Sequence, residues 1–189
     1  MVIRPTVQLC LVMIFAAGTA RAAQRELVTF NQPGAERDWQ SVNDSVMGGR
    51  STGGRRINSN SNLEFFGRLS LANNGGFASV RTRRMPLNLR SDDTIVLRVL
   101  GDGRQYSFNL YPSRRRTAFS YRAAFDTLKD RWAVIRIPLS RFRATSYGRS
   151  VVGATLNPTE IDGIGVLLGD KRPGSFRLEI ASISVESAD

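Results

Sequence analysis

Apolar residues alternate with polar ones along most of this chain, and that period of two predicts strands nearly throughout. Over residues 63–71, Leu63, Phe65, Leu69 and Leu71 fall on one face. Residues 94–100 form an almost continuous apolar run, suited to a strand covered on both sides. After the Gly101-Asp102-Gly103 turn, Tyr106, Phe108 and Leu110 alternate with Gln105, Ser107 and Asn109, so the two runs read as a β-hairpin. Ile135, Ile137 and Leu139 share a face of a strand headed by Trp132, and Pro138 places its end at an edge.

The last two strands are expected over 163–168 and 176–185. In the second, the apolar face is even-numbered through Ile180 and odd-numbered from Ile183, which requires a bulge or a bend. Asn157-Pro158-Thr159-Glu160 supplies a capping residue, a proline at the first helical position and a glutamate behind it, predicting one short helical turn. No long stretch carries a 3.6-residue apolar period. Residues 51–62, rich in Ser, Gly and Asn, read as a mobile loop. Many short strands with Gly, Asn, Asp and Pro turns argue an all-β sandwich with at most short helical turns.

The first 22 residues break that pattern. Arg4 precedes an apolar run over residues 7–18, and Ala20-Arg21-Ala22 offers small residues where a signal peptidase reads. A secretory signal over 1–22 is expected, leaving one domain over 23–189 in the periplasm or outside the cell. No transmembrane segment is expected after cleavage. Cys10 leaves with the signal.

The rest of the chain contains no cysteine and no histidine. Ser-His-Asp and Cys-His devices are therefore excluded, as is zinc held by imidazole or thiolate. Asp92 and Asp93 are adjacent and point to opposite faces of an extended chain, and Asp126 and Asp130 are expected to serve solubility and loop structure. No catalytic residue, cofactor or metal is expected. Calcium at jelly-roll loops is the one metal left open, and no D-x-D-x-D-G loop is present for it.

The net charge of +11 falls to +9 once Arg4 and Arg21 leave with the signal. The cations are nearly all arginine, with only Lys129 and Lys171 as lysines. Local clusters stand at Arg81/Arg83/Arg84 and Arg114-Arg115-Arg116, the latter on an expected loop tip. No aromatic-interleaved RNP pattern or basic helix accompanies them, so nucleic acid is not expected as a partner. An acidic glycan or other anionic ligand suits forked guanidinium groups, with Tyr111, Tyr121 or Tyr147 as an exposed aromatic beside them.

The most informative segment is Trp39-Gln40-Ser41-Val42-Asn43-Asp44-Ser45-Val46-Met47-Gly48-Gly49-Arg50-Ser51. An Asn-Asp turn signal followed by two glycines gives a sharp corner that can visit positive φ. Asp44 has two readings here. One is an Asx-type turn that ties the corner, and the other is a contact to a ligand or partner at a loop mouth. Trp39 and Met47 are read as core. Gly75-Gly76-Phe77 reads as a tight turn into a strand, and Asp102-Gly103 as a hairpin turn.

That segment resembles the hallmark W-x-x-V-N-D-x-V-M-G-G-x-S of the complex I intermediate-associated protein 30 family. Asn73-Asn74-Gly75-Gly76-Phe77-Ala78-Ser79-Val80 is similar to the family's N-x-G-G-F-x-S-V. Asp102-Gly103-Arg104-x-Tyr106 is similar to its D-G-R-x-Y turn, and Trp132 and Gly174-x-Phe176-x-Leu178-x-Ile180 match later landmarks. The resemblance runs from about Leu27 to Val185. It implies a galactose-binding-like jelly roll and a non-enzymatic protein-binding module, an assembly or chaperone-like factor for a protein client, with membrane-complex subunits as one candidate. The mitochondrial members act in the matrix, whereas this chain carries an export signal. The candidate interaction residues implied are Trp39, Asn43, Asp44, Met47, Gly48, Gly49, Ser51, Gly75, Gly76, Phe77, Asp102, Gly103, Tyr106 and Trp132. Arg114, Arg115 and Arg116 are candidates for contact with an anionic ligand.

Overall fold

Thirteen strands fold into two antiparallel sheets in a computed structural model, which describes residues 24–113 and 119–187. The strands are β1 (Gln24–Val28), β2 (Trp39–Asn43), β3 (Thr52–Ile57), β4 (Leu63–Leu69), β5 (Ala78–Thr82), β6 (Thr94–Leu100) and β7 (Gln105–Pro112). They continue as β8 (Ser120–Asp126), β9 (Trp132–Pro138), β10 (Arg143–Ser146), β11 (Arg149–Ser150), β12 (Ile161–Leu168) and β13 (Gly174–Glu186). One sheet runs β3-β4-β13-β6-β9, with β1 also pairing β13, and the other runs β11-β10-β8-β7-β12-β5-β2. The expected signal over 1–22 and the Arg114–Arg116 cluster lie outside the described residues.

The period-two pattern fills the space between the sheets. Leu63, Phe65, Ile95, Leu97, Val99, Leu178 and Ile180 meet Val80, Tyr106, Phe108, Leu110, Ile164 and Val166, all nearly or fully buried. The ring of Phe65 lies 4.8 Å from Phe176 in its own sheet and 6.5 Å from Tyr106 across the core. Aromatic pairs at these separations add to what area burial already contributes.

Several sequence expectations hold in detail. The parity switch in β13 is a register shift between Ile180 and Ser182 against β6. Pro138 sits on the edge strand β9, whose described sheet partner is β6. The Asn157 side chain accepts from the Thr159 N–H and caps a short 3₁₀ turn over Pro158–Glu160.

Four expectations need correction. First, β6 and β7 do not form a hairpin, because they lie in different sheets. The Gly101-Asp102-Gly103 corner carries the chain across the sandwich: a Cβ on Gly101 would come 2.2 Å from Thr127 Cβ, and Asp130 N–H donates to Gly101 O at 2.9 Å. Second, residues 51–62 are no mobile loop, since Thr52–Ile57 pairs with β4 in register. The tip beyond it is tied down by Asn58 and Asn62, whose side chains both donate to Glu179. Third, Leu71 falls past the end of β4 and is exposed. Fourth, β6 is only partly covered on its outer face, where Val96 is buried but Arg98 is exposed over the Trp132 ring.

Candidate functional site

The signature corner is organised around one carboxylate. Strand β2 pairs with β5 up to Asn43 opposite Ala78, so the next residue on one side, Asp44, meets Phe77 on the other. Asp44 is fully buried. Its Oδ1 accepts the Ser51 N–H at 2.8 Å, and its Oδ2 accepts Ser51 Oγ–H at 2.5 Å, Gly76 N–H at 2.6 Å and Phe77 N–H at 3.3 Å. The backbone adds Asp44 N–H to Phe77 O at 3.2 Å and Gly49 N–H to Asp44 O at 3.0 Å. Burial by itself would raise the Asp44 pKa, but these donors outweigh it and hold the carboxyl below its usual range.

The glycines of both motifs exist to make room for that group. A Cβ on Gly49 would stand 2.3 Å from the Asp44 Cγ, and one on Gly75 would stand 2.5 Å from its Oδ2. Gly48 and Gly76 supply positive φ, at +87° and +127°. Asn43 turns its amide to the Gly53 carbonyl at 3.1 Å, and buried Ser51 accepts from the Ser70 N–H at 3.0 Å. The Asp44 carboxylate is thus spent inside the molecule, on partners 7 to 33 residues away rather than on a local Asx turn.

What the knot leaves outside is apolar. Trp39 is buried in the core, as expected, but Met47 is not: it is 53% exposed, and Val46 beside it is 71% exposed. Both ride on a 3₁₀ turn over Asp44–Met47 whose ends are pinned, and exposed Leu71 lies on the neighbouring loop.

The second candidate group is a separate cluster at the sheet crossover. Asp102 accepts from Arg104 N–H, Tyr106 O–H and Arg177 N–H, at 3.1, 3.1 and 2.9 Å. Gly103 takes φ +82°. Arg104, passed over among the sequence candidates although quoted within its motif, is buried and forks onto Asp170 through Nε at 3.0 Å and Nη2 at 2.7 Å. It also donates to the carbonyls of Arg172 and Ser175. The Asp170 hydrogen bond raises the Arg104 pKa despite burial, and burial pushes the Tyr106 phenol far up. Trp132 is half-exposed on edge strand β9, with the Arg98 guanidinium 4.5 Å from its ring.

The tyrosines expected at a ligand surface divide. Tyr147 is exposed, Tyr111 is half-buried, and Tyr121 is buried with its hydroxyl donating to Thr155 O at 2.6 Å. Among the described residues, no three acidic, cysteine or histidine side chains converge on a metal-sized space. Among those residues no helix is long and apolar enough to cross a membrane.

Comparison with known proteins fits this geometry. The mouse (Mus musculus) mitochondrial complex I intermediate-associated protein 30 is 33% identical over 109 residues, 54% of this chain. The aligned part is 33% of the mouse protein, so the chain spans about a third of that relative. The family 11 carbohydrate-binding module of Clostridium thermocellum, solved with a β-1,3-1,4-mixed-linked tetrasaccharide, is similar in structure. It has a TM-score of 0.66 at 16% identity, over 90% of this chain and 98% of that one. An agarase crystal structure matches with a TM-score of 0.60 at 10% identity, over 88% of this chain and 25% of that one. At such identities these likenesses speak for the fold alone, a galactose-binding-like jelly-roll sandwich. The model of the complex I intermediate-associated protein 30 (CIA30) family matches residues 28–180, and the chain belongs to that family.

Proposed function

We propose that this protein is a non-catalytic, exported binding module that holds a protein client during the assembly of a membrane complex. The observation that carries this reading is the Asp44 knot, which fixes a short turn with Val46 and Met47 turned to solvent. Ordering those side chains in advance lowers the entropy cost of docking them into a partner. Large exposed apolar residues on a pinned loop suit a protein surface better than a reacting substrate. The name of the mouse relative, an intermediate-associated protein, supports a client that is itself a partly assembled complex. The apolar segment over 7–18 with Ala20-Arg21-Ala22 supports work outside the cytoplasm.

The test is cross-linking of the tagged protein in its native envelope, with wild type compared with a Val46→Asp/Met47→Asp variant. Subunits of one membrane complex are expected with the wild type and are lost with the variant. Capture of the same subunits by both forms, or of no protein above background, overturns the reading. N-terminal sequencing of the periplasmic fraction checks export, with Ala23 expected as the first residue.

A further inference from the structure

The outer face of the seven-stranded sheet carries a polar cluster that shares no residue with the Asp44 knot and is unused by the client reading. The pairing registers set Gln40 opposite Arg81, Arg81 opposite Gly165, Gly165 opposite Asn109, Asn109 opposite Arg122, and Arg122 opposite Arg143. One row of outward positions therefore crosses six neighbouring strands. At roughly 4.8 Å per strand, Arg81 and Arg122 stand about 14 Å apart at Cα, within reach of a common ligand between them. Gly165 floors the middle of the row without a side chain, and a Cβ there would come 2.8 Å from the Arg81 Cβ.

Arginines at such positions ordinarily find carboxylates, and these two do not. Among the described residues, neither Arg81 nor Arg122 has an acidic side chain within ion-pair distance. The outward carboxylate of β8, Asp126, lies four residues from Arg122 and accepts from Gln105 instead. The Nε–H groups of both arginines and the Oδ1 of fully buried Asn109 are shielded and have no protein hydrogen-bond partner. Buried donors and acceptors left unmade are costly, so three of them in one row call for an occupant. Desolvation also lowers the Arg122 pKa, as expected for a cation with no ion-pair partner among the described residues. Tyr111 completes the cluster. Its hydroxyl accepts from Asn109 Nδ2 at 3.1 Å, which leaves its own proton to donate, and the Arg81 guanidinium lies 5.8 Å from its ring centre.

We propose that this face binds an acidic polysaccharide through a uronic acid unit. Its carboxylate is held between Arg81 and Arg122, and its hydroxyl donates to Asn109. The donor pattern selects this chemistry. Two guanidinium forks and a phenol call for an anion with several acceptor oxygens, while the unpartnered Asn109 Oδ1 calls for a ligand that also donates. A phosphodiester offers acceptors alone, whereas a sugar acid offers both. The row continues to Gln40 on one side and Arg143 on the other, so the site accepts a chain of units rather than a single ring.

Titration of the purified protein with trigalacturonate, followed by calorimetry and by backbone amide shifts, tests this. Binding is expected to weaken with added salt. It is expected to weaken about tenfold or more in Arg81→Gln and in Arg122→Gln, with galactotriose and phosphatidylglycerol vesicles showing no binding. Both variants should keep wild-type thermal unfolding, because neither arginine makes an ion pair among the described residues. The wild-type amide signals of Gly163, Gly165 and Asn109 should move, a readout that needs no variant. Failure of trigalacturonate to bind, wild-type affinity in either variant, or binding by the vesicles alone overturns the proposal.

Discussion

The Asp44 carboxylate and the Gly76 amide, 32 residues apart in the chain, meet at 2.6 Å. Asn in place of Asp would turn an amide donor toward a set of N–H and O–H donors, or leave some of them unpaired. Asp44→Asn is therefore expected to cost about 3 kcal/mol or more in folding stability. Urea unfolding at neutral pH measures this as a lower midpoint with an unchanged slope. A loss below 0.5 kcal/mol would mean that the knot is incidental to the fold.

Gly49→Ala and Gly75→Ala test the same carboxylate from outside, because each new methyl lands on Asp44. Overpacking of this kind costs about 1–3 kcal/mol. Gly148→Ala is the control, with φ +79° and nothing within 4 Å of the new methyl, so it carries only the backbone strain. At about 1 kcal/mol it should be the mildest of the three. Equal thermal shifts for all three variants would remove the steric account of the glycine pairs.

Acid should unfold the protein through three carboxylates. Burial tends to raise the pKa of Asp44, Glu64 and Asp170, but internal donors lower all three. Those donors are Ser51 and the Gly76 and Phe77 amides for Asp44, Arg56 and Arg177 for Glu64, and Arg104 for Asp170. A carboxyl with a depressed folded pKa contributes stability in full above its unfolded value, near 3.9 for Asp and 4.3 for Glu. That contribution is lost as pH falls through the folded value. Unfolding free energy should thus be flat in this respect above about pH 5 and drop steeply below about pH 4. Asp44→Asn should show a shallower acid slope, and an unchanged slope would contradict the assignment.

Arg104 and Asp170 form the buried ion pair of the crossover, and each depends on the other. Arg104→Met leaves the Asp170 carboxylate without its fork and should cost about 3–5 kcal/mol. Arg104→Lys should recover little, since an ammonium cannot present two parallel donors. The Arg104→Met/Asp170→Leu double variant should be more stable than Arg104→Met alone. A double-mutant cycle with no coupling energy would show that the pair does not act as a unit.

The strands of this molecule were legible because their side-chain period is local. Tyr106, Phe108 and Leu110 announce β7 within six residues, and Asn157 announces its own turn. Strand partnership was not legible, since Gly101-Asp102-Gly103 has the composition of a hairpin turn and its role at the crossover depends on distant Thr127. The signature corner was recognisable as a bend, but the partners of Asp44 become visible only once β2 is set beside β5. Met47 looked like core because apolar residues usually are, and the pinned 3₁₀ turn reverses that expectation. Arg81 and Arg122 lie 41 residues apart in sequence, and only three successive strand registers put them in one row.

The bulge in β13 yields a last prediction that follows from parity alone. Ala181 is the extra residue: Ile180 faces Val99 and Ser182 faces Arg98, with no partner between them. Deleting Ala181 leaves Ile180, Ile183 and Val185 in simple alternation, so all three stay in the core. Deleting Ser184 instead makes Ile183 and Val185 neighbours and turns Val185 outward, although both are fully buried in the native fold. That exposure alone costs about 1.5–3 kcal/mol, before the damage to the β1 pairing is counted. The bulge also marks where the neighbour of β13 changes from β4, paired through Ile180, to β1, paired from Ile183. Loss of Ala181 should therefore be the milder deletion by at least the burial energy of one valine, read as the difference in urea midpoints. If the Ala181 deletion proves as damaging as that of Ser184, the bend at the bulge matters more to the sheet than the side-chain register it preserves.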